Sequence, residues 1–262
     1  MNFLCTIFIF LLGLCVGSFL NVCIYRIPRK ISIIFPPSHC PRCGKKILWY
    51  DNIPLLSYLL LKGKCRFCGK KISFRYFVVE FLTGVIFLFL YLKFGLSPSL
   101  LLYIIFSCAL LLSAFIDWEH FLIPDIFTLP LIPFAFLICF IYPDFFQKDT
   151  RIDAFMFSLS GALLGFLSLL IIAFIGKIIF RKEAMGGGDL KLLAAIGSFL
   201  GVKGVLLIIF LSSFLGAVVG GLLILLKIKK KEDYIPYGPF LSLAAIMVIF
   251  WGDWLVEKIF LR

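Results

Sequence analysis

Gly204-Val-Leu-Leu-Ile-Ile-Phe-Leu-Ser-Ser-Phe-Leu-Gly-Ala-Val-Val-Gly-Gly-Leu-Leu-Ile-Leu-Leu226 carries no charged side chain from end to end, and a basic cluster follows it: Lys227, Lys229, Lys230 and Lys231. An uncharged apolar stretch of about 20 residues is what a helix needs to cross a bilayer core. Seven more apolar runs lie outward from it, at about 3–24, 76–92, 98–116, 126–142, 154–180, 189–202 and 236–260. Hydrophobic residues make up 62% of the 262-residue chain and charged residues only 15%. That composition excludes a soluble globular protein, a disordered chain and a small disulfide scaffold. The fold class read from it is all-α, a polytopic membrane protein of about eight transmembrane helices. The run at 189–202 is short and reads as partly re-entrant, whereas 154–180 and 204–226 are long enough to tilt. Residues 1–4 carry no Lys or Arg and no cleavage site follows, so the first run reads as a retained helix.

A net charge of +12 raises the question of nucleic acid, but the distribution answers it. Twelve Lys and Arg lie between Arg26 and Arg75 against the single acid Asp51. Lys177, Arg181, Lys182 and Lys191 form a second group and the 227–231 cluster a third. Eight spans with both termini outside put all three groups on the cytoplasmic face, as the positive-inside rule requires. Topology accounts for the charge, and no nucleic-acid partner is expected. The organisation predicted is a first helix at 1–24, a cytoplasmic loop domain at 25–75 and a multi-helix membrane core at 76–262. No internal repeat or low-complexity segment is apparent.

The 25–75 loop is too small to build a strong core and holds Pro28, Pro36, Pro37, Pro41 and Pro54, which favour turns. Cys40-Pro-Arg-Cys43 and Cys65-Arg-Phe-Cys68 supply a staple. Four thiolates in two CxxC knuckles close a tetrahedral structural Zn²⁺ site, with Gly44 and Gly69 turning backbone N–H groups toward sulfur. Two disulfides, an iron–sulfur centre or four free thiols are the alternatives; a reducing cytoplasm counts against the first. Cys5, Cys15, Cys23, Cys108 and Cys139 fall within apolar runs and read as small buried hydrophobes.

Carboxylates at the edge of a membrane are costly and therefore informative. Asp117 ends the third run and Asp189 opens the sixth, in Gly186-Gly-Gly-Asp189-Leu-Lys191. The topology brings both to one face, where they can meet. Two nearby carboxylates share a proton; one takes a proton from water as the water attacks an amide, and the protonated partner polarises the carbonyl. Gly186, Gly187 and Gly188, without side chains, let a substrate backbone approach and can adopt φ > 0. The plainer reading of the same four residues is a turn with Asp189 capping the next helix. Asp125 is a rival for the first position, with helix capping as its simpler role. Glu119 and His120 read as solvated or supporting groups. Glu80 lies inside the second run, where an unpaired carboxylate is unlikely to be idle, with Arg75 or a polar group on another span as its partner.

The ordered set resembles the type IV prepilin peptidases, the bacterial leader peptidase/N-methyltransferase family of membrane aspartic proteases. It runs through Gly17-Ser-Phe-Leu-Asn-Val22, Tyr25-Arg-Ile-Pro28, the paired CxxC loop with Asp51-Asn-Ile-Pro54, Ile72-Ser-Phe-Arg-Tyr76 with Glu80, Asp117 to Ile123-Pro-Asp125, and Gly186–Lys191. The resemblance implies that Asp117 and Asp189 are the catalytic dyad, with Asp125, Lys191 and the glycines as a supporting segment. It implies prepilin and pseudopilin substrates, cleaved at the cytoplasmic boundary of the bacterial inner membrane. It also implies methylation of the new N-terminus from S-adenosylmethionine, and leaves Asn21, Arg26 and Glu80 as candidates for the methyl-transfer site or for a structural role. Local acids, Glu119 and Glu183 among them, are the conjectured match to a basic leader. The competing class is a non-enzymatic transporter or assembly factor whose Asp residues conduct ions, which leaves the zinc loop and the glycines unexplained. A cleavage-only intramembrane aspartic protease is the other alternative.

Overall fold

Lipid is as apolar as leucine, so helices inside a bilayer associate only where their surfaces approach closely or share hydrogen bonds. The computed structural model, which describes residues 3–180, 185–230 and 234–260, is built on such approaches. Arg181, Lys182, Glu183 and Lys231 lie outside the described residues. Nine helices are described: α1 (Phe3–Arg26), α2 (Leu56–Leu60), α3 (Arg75–Phe94), α4 (Pro98–His120), α5 (Asp125–Thr128), α6 (Leu131–Ile141), α7 (Arg151–Phe180), α8 (Gly187–Leu225) and α9 (Gly238–Phe260). No strand is described, only two isolated bridges, His39 with Lys46 and Lys64 with Lys71.

Each of the eight predicted apolar runs is helical. Five helices, α1, α3, α4, α7 and α8, are long and apolar enough to cross a membrane, and 125–141 and 238–252 form shorter apolar helices. The runs at 189–202 and 204–226 are two halves of α8, broken at Gly201. There φ is +65°, and the Phe157 ring occupies the space a Cβ would need. Pro130 separates α5 from α6, so the fourth run is divided as well.

The chain forms two compact units, 1–112 and 113–262, and α4 straddles their boundary. In the first, α1 lies against α3 along Gly13 and Gly17, a GxxxG pair. A Cβ on Gly13 would stand 2.8 Å from the Gly84 Cα, and one on Gly17 2.8 Å from the Glu80 Cα. Ile24, Val79 and Leu90 are fully buried in this unit. Polar contacts tie the loop to the pair: the Asn21 amide donates to the Tyr76 carbonyl (3.0 Å), and Arg26 donates to the carbonyls of Ser32 (2.8 Å) and Pro36 (2.6 Å). The Leu55 N–H donates to Glu80 Oε2 (2.8 Å).

The second unit repeats the device. Gly161 and Gly165 of α7 face Gly197 and Leu193 of α8, and a Cβ on either glycine would fall on a carbonyl oxygen of the other helix. The Ser158 hydroxyl donates to the Ser198 carbonyl at 2.7 Å in the same seam. Helix α9 is joined to α8 by a hydrogen bond between the Tyr237 and Ser212 hydroxyls (2.6 Å).

Gly161→Ala is expected to destabilise the protein by about 1–3 kcal/mol, since neither backbone can yield without opening the seam. Gly221→Ala, where a Cβ would meet nothing within 4 Å, is expected to be neutral. Thermal unfolding of both variants in one detergent checks the difference.

Candidate active site and metal centre

Asp117 stands in the last turn of α4 and Asp189 in the first turn of α8, both in the second unit and both buried. Their charges interact across the site, as two facing carboxylates must. Asp117 Oδ2 accepts a buried hydrogen bond from the Gly238 N–H at 3.0 Å. Asp189 Oδ1 is buried without a hydrogen-bond partner among the described residues. One carboxylate is therefore held by the backbone, and the other presents an open oxygen.

The glycines divide their labour. Gly186 is the N-cap of α8 with φ −78°, and neither Gly187 nor Gly188 has positive φ, so none of the three uses the freedom to adopt φ > 0. Asp189 is the third residue inside the helix and not its cap, near the positive end of the helix dipole. Among the described residues, a Cβ on Gly187 would meet nothing within 4 Å and one on Gly186 only Asp189 Oδ2 at 3.7 Å, so they leave the approach to Asp189 open on this side. Gly188 is closed in: its Cβ would be 3.0 Å from the Cβ of buried Ile123.

Asp125 makes no side-chain capping bond. Both its oxygens instead accept from Lys191 Nζ, at 2.8 and 2.9 Å. The pair is solvent-exposed and ties α5 to α8 two residues after Asp189. Geometry thus makes Asp125 and Lys191 a clamp on the segment that carries Asp189. Glu119 and His120 lie together at 4.0 Å near the end of α4.

Sequence reasoning passed over Tyr234-Ile-Pro-Tyr-Gly-Pro239. Among the described residues Gly238 supplies the hydrogen bond to the Asp117 carboxylate, and a Cβ there would stand 2.7 Å from Asp117 Oδ2 and 2.9 Å from Ile123 Cδ1. The Tyr234 phenol is raised above its ordinary range by burial and by the charges of Asp189 and Asp117, which places it at the same site. Its signal was present in the sequence: a Pro–Tyr–Gly–Pro helix start a few residues after a basic cluster.

In the first unit the thiol sulfurs of Cys40, Cys43, Cys65 and Cys68 lie within 4.8 Å of one another. Cys40 and Cys68 are 3.9 Å apart at sulfur, far beyond a disulfide, and all nine cysteines are free. Two thiolates on one tetrahedral zinc stand about 3.8 Å apart, so the set fits a single ion. The knuckles are copies of each other. Cys40-Pro-Arg-Cys-Gly-Lys-Lys-Ile47 and Cys65-Arg-Phe-Cys-Gly-Lys-Lys-Ile72 make the same bonds: Cys40 N–H to the Lys45 carbonyl and Cys65 N–H to that of Lys70, Gly44 to Cys40 and Gly69 to Cys65. Gly44 and Gly69 both have positive φ, 70° and 66°. The loop therefore does hold an internal repeat, short enough to escape a search for domain-sized periods. Backbone N–H groups of Cys68 and Phe67 lower the Cys65 thiol to about 7. Cys68, although it accepts the Lys70 N–H, is pushed up to about 11 by burial and by the three sulfurs around it. The thiols share protons as one cluster, which a cation would displace.

Glu80 is buried and pairs with the Leu55 N–H and the Ser18 hydroxyl, not with Arg75. Among the apolar-run cysteines, Cys23 and Cys139 are buried as expected, whereas Cys15 is exposed.

Residues 11–94 match the family model described as Bacterial Peptidase A24 N-terminal domain, and residues 104–221 that of the Type IV leader peptidase family. Among curated proteins, the chain is 42% identical over 219 residues to a prepilin leader peptidase/N-methyltransferase of Myxococcus xanthus, covering 84% of this chain and 63% of that one. It is 37% identical over 269 residues to the protein of that name from Xanthomonas campestris, with 94% and 91% covered. For the Pseudomonas aeruginosa protein of that name the figures are 35% over 273 residues, with 95% and 90% covered. No solved structure matches the chain.

Proposed function

Because the chain belongs to the type IV leader peptidase family, we propose that Asp117 and Asp189 are the pair with which it cleaves the leader from prepilins, before methylating the amine that cleavage exposes. The observation that carries this reading is the buried meeting of the two carboxylates, one held by Gly238 and the other with an open oxygen. A water between them loses a proton to one carboxylate as its oxygen attacks the peptide carbonyl. The partner, carrying the shared proton, hydrogen-bonds the carbonyl oxygen. Collapse of the tetrahedral intermediate expels the amine, which receives a proton from the pair. Gly186 and Gly187 leave the substrate backbone room, and the Asp125–Lys191 clamp holds the helix start in register.

A prepilin joins a polar leader to an apolar helix, so its scissile bond belongs at a membrane interface. Positive-inside charge places that interface on the cytoplasmic side of the bacterial inner membrane, with both termini outside. Pseudopilins share the same design and are substrates by the same reasoning. Cys40, Cys43, Cys65 and Cys68 hold a structural Zn²⁺ that organises the 25–75 loop. S-adenosylmethionine supplies the electrophilic methyl group for the second reaction.

Asp117→Asn and Asp189→Asn are each expected to lower cleavage by at least about 100-fold with the protein still inserted, because a proton-transfer group is lost at constant volume. Gly238→Ala is expected to cost about 10–100-fold by displacing Asp117. The intact mass of a co-expressed prepilin reads all three, and near-normal processing by Asp189→Asn would remove the dyad. Metal analysis is expected to find about one zinc per chain, lost when the four cysteines become serine. Full zinc content in that variant would refute the ligand set.

A further inference from the structure

Leu56, Leu59 and Leu60 of the short helix α2 are exposed, Leu59 at 61% and Leu60 at 72%. Their spacing, i, i+3 and i+4, puts them on a single helix stripe. The other side of α2 is occupied. Ser57 is buried and its hydroxyl donates to the Tyr50 carbonyl at 2.9 Å. The Tyr58 ring lies edge-on to Phe74, at 6.3 Å between centroids, and 5.7 Å from Phe77. A helix of five residues does not persist alone in water. This one is pinned at its start, where the Leu55 N–H reaches the Glu80 carboxylate and Leu55 takes φ +58°.

The surroundings of α2 say what covers the leucines. Phe74, Phe77 and Phe81 stack one after another along α3, with ring centroids 5.5 and 6.2 Å apart. Phe81 lies inside the membrane-spanning segment and is exposed there, on surface that lipid covers. The aromatic ladder therefore runs from lipid to α2 without a break. Glu80, which pins α2, stands five residues into α3 from Arg75, about 7.5 Å along the helix axis. An interfacial helix buries its apolar face about 5–10 Å into the boundary between headgroups and acyl chains, the same depth. Charge agrees with this placement. Lys62 and Lys64 follow α2 and are exposed, and Asp51, the one acid among the twelve basic residues of the loop, is already paired with Arg66 at 2.6 Å. A basic surplus of this kind is drawn to anionic headgroups.

We propose that α2 is an interfacial helix, with Leu56, Leu59 and Leu60 seated among the acyl chains of the leaflet beside the 25–75 loop and Lys62 and Lys64 among its anionic headgroups. The occupant of this face is phospholipid and not a protein partner. Leucines exposed to water in a loop without a core would be a liability; set in the leaflet, they give that loop the apolar contact it cannot build internally. Cys65 follows Leu60 by five residues, so the second cysteine knuckle hangs directly from this anchor. The loop is thus attached to the bilayer at three places: the end of α1, the start of α3 and α2 between them.

The test uses the full chain reconstituted in vesicles of phosphatidylethanolamine and phosphatidylglycerol. Trp49, Trp118, Trp251 and Trp254 are replaced by Phe, and Leu60→Trp supplies a single fluorescent reporter on α2. Phospholipid brominated near the top of its acyl chains is expected to quench this reporter to about half its intensity or less, while aqueous iodide leaves it nearly unchanged. Strong quenching by iodide with none by brominated lipid overturns the proposal and leaves the face to water or to a protein partner. Tryptophan itself favours interfaces, and a chain with five substitutions can fail to fold, so a second measurement uses the unsubstituted protein. A photoactivatable phospholipid, reactive at the same depth, labels whatever the leaflet covers, and the labelled peptides are identified by mass. Label on residues 56–60 as well as on α3 supports the proposal. Label on α3 that spares 56–60 overturns it.

Discussion

Backbone against backbone is the contact on which the rest of this protein depends. In water a helix pair is driven together by its apolar faces, but in lipid those faces are already satisfied. The gain must come from close approach, and only glycine permits it at Gly161 and Gly165 against Gly197 and Leu193, or at Gly13 and Gly17 against Gly84 and Glu80. The first seam sets where α8 lies and thereby where Asp189 begins it. The second brings the Glu80 backbone within reach of α1, so that a carboxylate otherwise costly in a membrane has Ser18 and Leu55 to satisfy it.

Polar groups then do what apolar packing cannot, which is to specify register. Asn21 and Arg26 bind backbone carbonyls, Glu80 binds a backbone N–H, and Gly238 offers its N–H to Asp117. Each joins residues distant in sequence by a directional bond in a region poor in water. The cysteine cluster applies the same logic in the loop. A loop without a core is closed by four sulfurs, and its two knuckles repeat one backbone design with one pair of left-handed glycines.

Where the structure departs from the reading from sequence, it departs over local geometry. Gly186–Gly188 are free to adopt φ > 0 but do not use that freedom; they enter a helix in ordinary conformations, with Gly188 packed on Ile123. Asp125 and Asp189 had capping as their simpler reading, and neither caps; one is clamped by Lys191, and the other lies within the first turn. Capping is a local property that a short motif suggests, whereas an ion pair spanning 66 residues needs two helices already in place.

Hydropathy alone determined the eight apolar runs and the membrane class, because the bilayer selects for length and apolarity, and both are one-dimensional. Spacing alone picked out the four clustered cysteines, since two CxxC knuckles carry most of their geometry within four residues each. Asp117 and Asp189 were legible as unusual carboxylates because charge at a membrane edge has to be justified by something. That α8 breaks at Gly201, that Glu80 answers to Leu55 and that Gly238 holds Asp117 were decided only by tertiary structure. Each depends on two segments far apart in the chain meeting at hydrogen-bond or van der Waals distance, and no local pattern of residues encodes that distance.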